Sequence, residues 1–314
     1  MDATATITKK GRAVKKHIWR EVKKFKHIYI ILAPTLLFYI VFRYAPMFGN
    51  VIAFQRFSIT KGILGSKFVG LQNFKDFLTN YKFWELLRNT LNINFLGLVF
   101  AFPAPIILAL LLNEVKRLRF KKTVQTITYV PHFISTVVVS SMILTFVASD
   151  GMINAIRQMF GGEKISFMTN SQYFYPIYII SDIWQHIGWG SIIYIAALSS
   201  VDQELYQAAT IDGAGRWKQL LHVTLPGISQ TIIILLIMRI GQMLSVGFEK
   251  IMLLYNPAIY ETADVISTYV YRRGLLEGDY SFSAAVGMFN SIINFILLIA
   301  ANFFSKKISD SGIW

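Results

Sequence analysis

The chain of 314 residues is 54% hydrophobic, has a mean hydropathy of +0.49, and carries a formal net charge of +14 with no cysteine. Hydropathy this positive excludes an ordinary soluble domain, and the missing thiols exclude a disulfide framework or a thiolate metal site. The basic clusters sit beside apolar stretches, where anionic lipid accounts for them better than nucleic acid does.

Residues 1–27 form a basic segment containing Lys9, Lys10, Arg12, Lys15, Lys16, Arg20, Lys23, Lys24 and Lys26. Basic residues just before a first span stay cytoplasmic. Six apolar runs of bilayer-crossing length, roughly 20 residues each, follow at about 28–48, 91–112, 124–148, 175–199, 228–253 and 282–304. Backbone in lipid must satisfy its own polar groups, so each run is expected to be a helix. The first is read as an uncleaved helix, because it continues past Pro34 to Phe42 without a small-x-small cleavage site. The expected fold is therefore an all-α integral membrane protein with six transmembrane helices over 28–305. Both termini are placed in the cytoplasm, the second as a tail over 306–314.

Lys116, Arg117, Arg119, Lys121 and Lys122 after the second span support that orientation, as do Lys306 and Lys307. Arg56, Lys61, Lys67, Lys75, Lys82 and Arg88 oppose it, but from a loop of about 40 residues, where the charge rule weakens. That first external loop is rich in aromatics, which suits an interfacial belt anchor or contact with an external partner. Pro103 and Pro105 in the second span, and Pro131 at the start of the third, are expected to kink their helices. Glycine-containing external loops at 149–174 and 255–280 read as flexible.

Polar residues inside the apolar runs mark a candidate substrate pathway: Asp182, Trp184, Gln185 and Trp189 in the fourth span, with His186 among them. Arg239 and Gln242 lie in the fifth, Glu249 and Lys250 near its outer end, and Asn290 and Asn294 share one face of the sixth. Ionisable groups at membrane depth face a cavity or a partner. Hydrogen bonding between helices is the other reading.

The cytoplasmic loop 200–227 carries the strongest signal. It reads Tyr206-Gln-Ala-Ala-Thr-Ile-Asp-Gly213, then Val223-Thr-Leu-Pro226. Small Ala208 and Ala209 permit close backbone approach, Gly213 can turn at positive φ, and Pro226 restarts the chain into the membrane. This pattern resembles the EAA loop of ABC importer permeases, E-A-A-x-x-x-G followed by I-x-L-P. Gln207 stands for the family Glu, and Val223 for Ile. Glu204 and Asp212 remain as nearby acidic candidates.

The resemblance extends over essentially the whole chain and points to the carbohydrate-uptake group of the LplB and alginate polysaccharide type. It includes Phe102–Glu114, Tyr129–Val139, Trp189–Tyr194, Val246–Lys250 and Asn290–Ile296.

The resemblance implies a type I permease, multi-pass in the bacterial cytoplasmic membrane, that imports an oligosaccharide or polysaccharide fragment. It implies a second homologous permease subunit, two ABC ATPase subunits and an extracytoplasmic sugar-binding protein. In such permeases the EAA loop docks on the ATPase. That role falls here on Glu204, Gln207, Ala208, Ala209, Asp212, Gly213, Val223, Leu225 and Pro226.

The chain contains no G-x-x-x-x-G-K-[ST] and no H-E-x-x-H, and its five histidines are scattered. It is expected to be non-enzymatic, with no metal or cofactor of its own. ATP and Mg belong to the ATPase partner. An ion-driven secondary transporter, which predicts inverted repeats, and a membrane anchor that uses the loop to recruit a partner are the competing readings.

Overall fold

The computed structural model describes residues 24–309, 312 and 313. Most of the basic segment and part of the tail lie outside the described residues. The chain is predominantly helical. Helix α1 (Lys26–Phe54) leads to a small antiparallel ribbon, β1 (Gln55–Arg56) with β2 (Lys67–Phe68), in the register Gln55–Phe68 and Arg56–Lys67. Then come α2 (Gln72–Leu78), α3 (Phe83–Glu114), α4 (Leu118–Tyr129), α5 (Thr136–Val147), α6 (Met152–Met159) and α7 (Phe174–Ser199). The second half contains α8 (Gln203–Ile211), α9 (Arg216–Ile240), α10 (Phe248–Leu254), α11 (Ile266–Tyr271) and α12 (Tyr280–Ser309).

Five helical stretches among the described residues are long and apolar enough to cross a membrane: α1, α3, Thr136–Met159, α9 and Tyr280–Lys307. Helix α7 has 26 residues, about 39 Å at 1.5 Å per residue. Asp182, Gln185 and His186 make it less apolar than those five.

Two expected spans are broken. The run expected at 124–148 is α4, a 3-10 turn at Val130–Phe133 and α5. Pro131 lacks the donor a continuous helix needs, and Ser135 caps the restart by accepting a hydrogen bond from Val138 N. The run expected at 228–253 ends its regular helix at Ile240 and opens over 241–247 before α10. Asn294 of α12 holds this opening: its Oδ1 accepts from Leu244 N at 2.9 Å, and its Nδ2 donates to Ser245 Oγ at 3.0 Å. By contrast, α3 runs through Pro103 and Pro105. A π turn at Gly97–Ala101, closed by Phe102 N to Gly97 O at 2.9 Å, absorbs the prolines just before they occur.

The core forms three apolar clusters. Ile93, Phe174, Tyr178, Ile251 and Val265 join α3, α7, α10 and the outer loop. Phe77, Phe83, Leu86, Ile266 and Phe282 join α2, α3, α11 and α12, with Phe77 set edge-on to Phe83, Phe282 and Phe289. Ile106, Ala109, Tyr194, Leu198 and Ile228 join α3, α7 and α9. At Gly188 the backbones of α7 and α4 come so close that a Cβ there would lie 2.1 Å from Thr128 O.

The loops expected to be flexible are cross-tied. Buried Asn154 donates to Ala148 O and Ile165 O and accepts from Ile165 N, all at 2.9 Å. In the 255–279 segment, buried Asp264 holds Arg272 in a two-pronged ion pair and accepts from Thr268 Oγ1 at 2.7 Å. Burial alone would lower the Arg272 pKa, but the hydrogen bonds and charge of Asp264 more than offset it and raise the pKa above its ordinary value. Asn89 of α3 donates to Glu261 O and Asp264 O, which pins this segment to the membrane bundle.

Helix α1 differs from the rest: every residue from Lys24 to Phe48 is exposed. Only its last turns, Phe48–Phe54, pack against α12.

Candidate coupling loop and membrane cavities

Local chemistry shapes the loop. Asp202 caps α8, its Oδ1 accepting from Glu204 N at 2.9 Å. The helix ends at Gly213, φ +75°, with Ala214 N donating to Ala209 O at 2.8 Å and Gly213 N to Thr210 O at 3.1 Å. These two bonds are the Schellman pattern, which satisfies the last helical carbonyls. The second arm starts at Gly215 and is tied back to α8. Gln219 Nε2 donates to Thr210 Oγ1 and Ala214 O, both at 3.0 Å, and Tyr206 OH donates to Thr224 Oγ1 at 3.0 Å.

Of the expected coupling residues, Glu204, Gln207, Ala208, Asp212, Gly213 and Pro226 are exposed, and Ala209, Val223 and Leu225 are half-buried. Four apolar side chains outside that set also stand in the open: Leu205, Leu221, Ile211 at 86% and Trp217 at 77% exposure. Large apolar groups this exposed mark an interaction surface. Their signal in the sequence was an apolar residue within a polar loop. Helix α9 carries the second arm without a break into the apolar bundle as far as Ile240.

At its far end α9 meets two adjoining cavities. One, of about 340 Å³, is lined by Phe102, Pro105, Asp182, Gly190, Tyr194, Arg239 and Gln242 among others. The second, of about 310 Å³, is lined by Asn94, Gly97, Tyr178, Asp182, His186, Arg239 and Ser245 among others. Asp182 and Arg239 line both. Asp182 Oδ1 lies 3.5 Å from His186 Nδ1 and 3.8 Å from Lys250 Nζ, and the ammonium also sits over the Tyr178 ring at 5.1 Å.

The expected pathway residues therefore divide. Asp182, Arg239 and Gln242 share the polar cavities. Trp184 lines a separate, apolar cavity of about 470 Å³ between α5 and α7. Gln185 is buried and donates Nε2 to Ile134 O at 3.3 Å, serving the carbonyl freed by the break before α5. Trp189 stacks on His132 with ring centres 4.6 Å apart. Asn290 lines an outer pocket with Phe248 and Tyr280, while Asn294 holds the 241–247 opening. His186, named with the fourth-span candidates, lines the polar cavity, as does Asn94, which was not among the expected pathway residues. Nothing in the sequence distinguished Asn94. No group of three or more His, Cys, Asp or Glu able to hold a metal occurs among the described residues.

Comparison with known proteins places these features in context. Residues 101–310 match the family model described as "binding-protein-dependent transport system inner membrane component". The chain is similar to Protein LplB of Bacillus subtilis, with 47% identity over 93% of this chain and 92% of that protein. It is 45% identical to the polygalacturonan/rhamnogalacturonan transport system permease protein YteP of the same organism, over 99% of this chain and 96% of that protein. Among solved structures it resembles a chain of the bacterial alginate ABC transporter in complex with alginate pentasaccharide-bound periplasmic protein. The TM-score is 0.87 at 40% identity, covering 94% of this chain and 99% of that one.

Proposed function

Because the chain belongs to the binding-protein-dependent transport system inner membrane component family, we propose that it works as one half of a heterodimeric pore importing an oligosaccharide or polysaccharide fragment. It is a non-catalytic, multi-pass permease subunit of the bacterial cytoplasmic membrane, and the hydrolysis of ATP falls to separate subunits. The proposed assembly adds a second homologous permease, two ABC ATPase subunits that bind ATP and Mg, and an extracytoplasmic sugar-binding protein. Six spans, counting α7, leave both termini cytoplasmic.

One observation carries this reading. A pre-shaped, exposed loop at 204–226 is built onto the same continuous helix that lines the polar cavities. Closure of the ATPase dimer pushes on α8 and the Arg216–Leu220 turn. Helix α9, 25 residues or about 37 Å long, carries the displacement to Arg239 and the walls around it. Substrate is moved because the two states of the pore differ in affinity for it. The exposed α1 supports the heterodimer: an apolar helix whose residues as far as Phe48 stay exposed on its own chain fits the flank of a second permease.

The test is mass spectrometry of what co-purifies with the chain in mild detergent from its native cell, wild type against Ala209→Asp. An ATPase subunit and a second membrane permease are expected with wild type, and the ATPase is expected to be lost with the variant. A chain that purifies with the same partners in both forms refutes the coupling role of the loop.

A further inference from the structure

Arg239 is a cation in an apolar helix, and it has no hydrogen-bond or ion-pair partner among the described residues. It is half-buried and lines both polar cavities. No carboxylate oxygen of the described residues lies within 4.0 Å of it. The nearest candidate, Asp182, is already engaged, with the Lys250 ammonium at 3.8 Å and His186 at 3.5 Å. The Asp182–Lys250 pair cancels, which leaves the guanidinium as the uncompensated charge of the site.

Two further features show that space is kept for it. Gly97 faces Arg239 at the π turn of α3, and a Cβ there would come within 2.9 Å of Nη2. Phe102 and Tyr194 supply aromatic lining to the same cavity. An ionisable side chain at membrane depth that faces a cavity marks a substrate or ion pathway, and a guanidinium matches a carboxylate in two-pronged geometry.

We propose that Arg239 reads the carboxylate of an acidic saccharide, so that the permease itself, and not only its binding protein, selects uronate-containing chains. This deepens the importer reading and rests on it. The guanidinium takes the carboxylate at the junction of the two cavities, and Gln242, Asn94 and Ser245 are placed there to serve the neighbouring hydroxyls.

The experiment uses the complete importer in proteoliposomes loaded with ATP. Uptake of an oligogalacturonate is compared with uptake of the same oligosaccharide after methyl esterification, for wild type, Arg239→Gln, Arg239→Lys and Gly97→Ala. The binding protein is common to all four, so its own preference cancels in the ratio of acidic to esterified uptake between permeases.

That ratio is expected to fall roughly 10- to 100-fold in Arg239→Gln, as loss of a charge-assisted hydrogen bond predicts. It falls less in Arg239→Lys, and by an intermediate amount in Gly97→Ala, where only the far end of a flexible side chain has to move. An unchanged ratio in Arg239→Gln, or an equal loss of both substrates in all three variants, overturns the proposal and assigns Arg239 to the partner permease or to packing. Absence of ATP-dependent uptake of either sugar by wild type removes the importer reading, and the proposal with it.

Discussion

Gly213 and Gly215 make an internally controlled test of the coupling loop. They lie two residues apart, and a Cβ on either meets nothing within 4 Å, so sterics do not separate them. Conformation does: Gly213 sits at φ +75°, Gly215 at φ −69°. An L-residue in the left-handed region costs about 1–2 kcal/mol, and the Schellman bonds from Ala214 N and Gly213 N hold Gly213 there. If the loop binds the ATPase in this pre-formed shape, Gly213→Ala loads that cost onto binding and weakens affinity about 5- to 30-fold. Gly213→Asn is expected to lose much less, because Asn tolerates this region. Gly215→Ser is expected to match or slightly exceed wild type, because Gly215 is an N-cap and Ser is a favoured residue there. The assay is the Kd of the purified ATPase subunit for the permease pair in nanodiscs. Equal effects at 213 and 215, or Asn as damaging as Ala at 213, would refute the idea that backbone pre-organisation controls docking.

Other substitutions test the packing that supports the site. Gly188→Ala drives a Cβ into the Thr128 backbone at 2.1 Å; overpacking of this kind costs about 1–3 kcal/mol or more. A lower midpoint of thermal unfolding, followed by size-exclusion chromatography, is expected, and wild-type stability would contradict the α4–α7 contact. Arg272→Met leaves buried Asp264 without its cation, at about 3–5 kcal/mol, and should expose the 255–279 segment to protease while α8 stays protected. Phe77→Ala removes a ring packed between Phe83, Phe282 and Phe289, at about 3–5 kcal/mol, again read as a fall in unfolding temperature. Asn294→Ala frees Leu244 N and Ser245 Oγ and is expected to speed hydrogen exchange over 241–247 above the wild-type rate.

The apolar spans could be read from the sequence because hydropathy over about 20 residues is a one-dimensional signal. The turn chemistry of the 200–227 loop could be read for a similar reason: Gly213 and Pro226 each act within a few residues of themselves. What could not be read is where helices break and which way they face. The opening at 241–247 depends on Asn294, some fifty residues away along the chain, and appears locally only as an apolar run with two glycines. Helix facing failed in the same way. Trp184, Gln185 and Trp189 lie close to Asp182 in sequence, yet the face that meets the cavities runs Asp182, His186, Gly190 and Ile193. Neighbouring helices choose that face.

Two glycines that border these cavities, Gly97 of α3 and Gly190 of α7, explain why there is space there at all. A Cβ on Gly97 would meet the Arg239 guanidinium at 2.9 Å, and one on Gly190 would meet the Pro105 ring at 3.0 Å. Larger residues at either place would fill space that now belongs to the polar groups. Arg239 is the residue in which the cavities and the coupling loop meet mechanically, since it lies one residue from the end of a helix that begins at Arg216. Displacing the loop must therefore move this guanidinium relative to Asp182 and Gly97, which sit on other helices. The affinity change that transport requires then follows from geometry. In the proposed cycle, the charge that holds a carboxylate in one state is carried away from the walls that complete its site in the other.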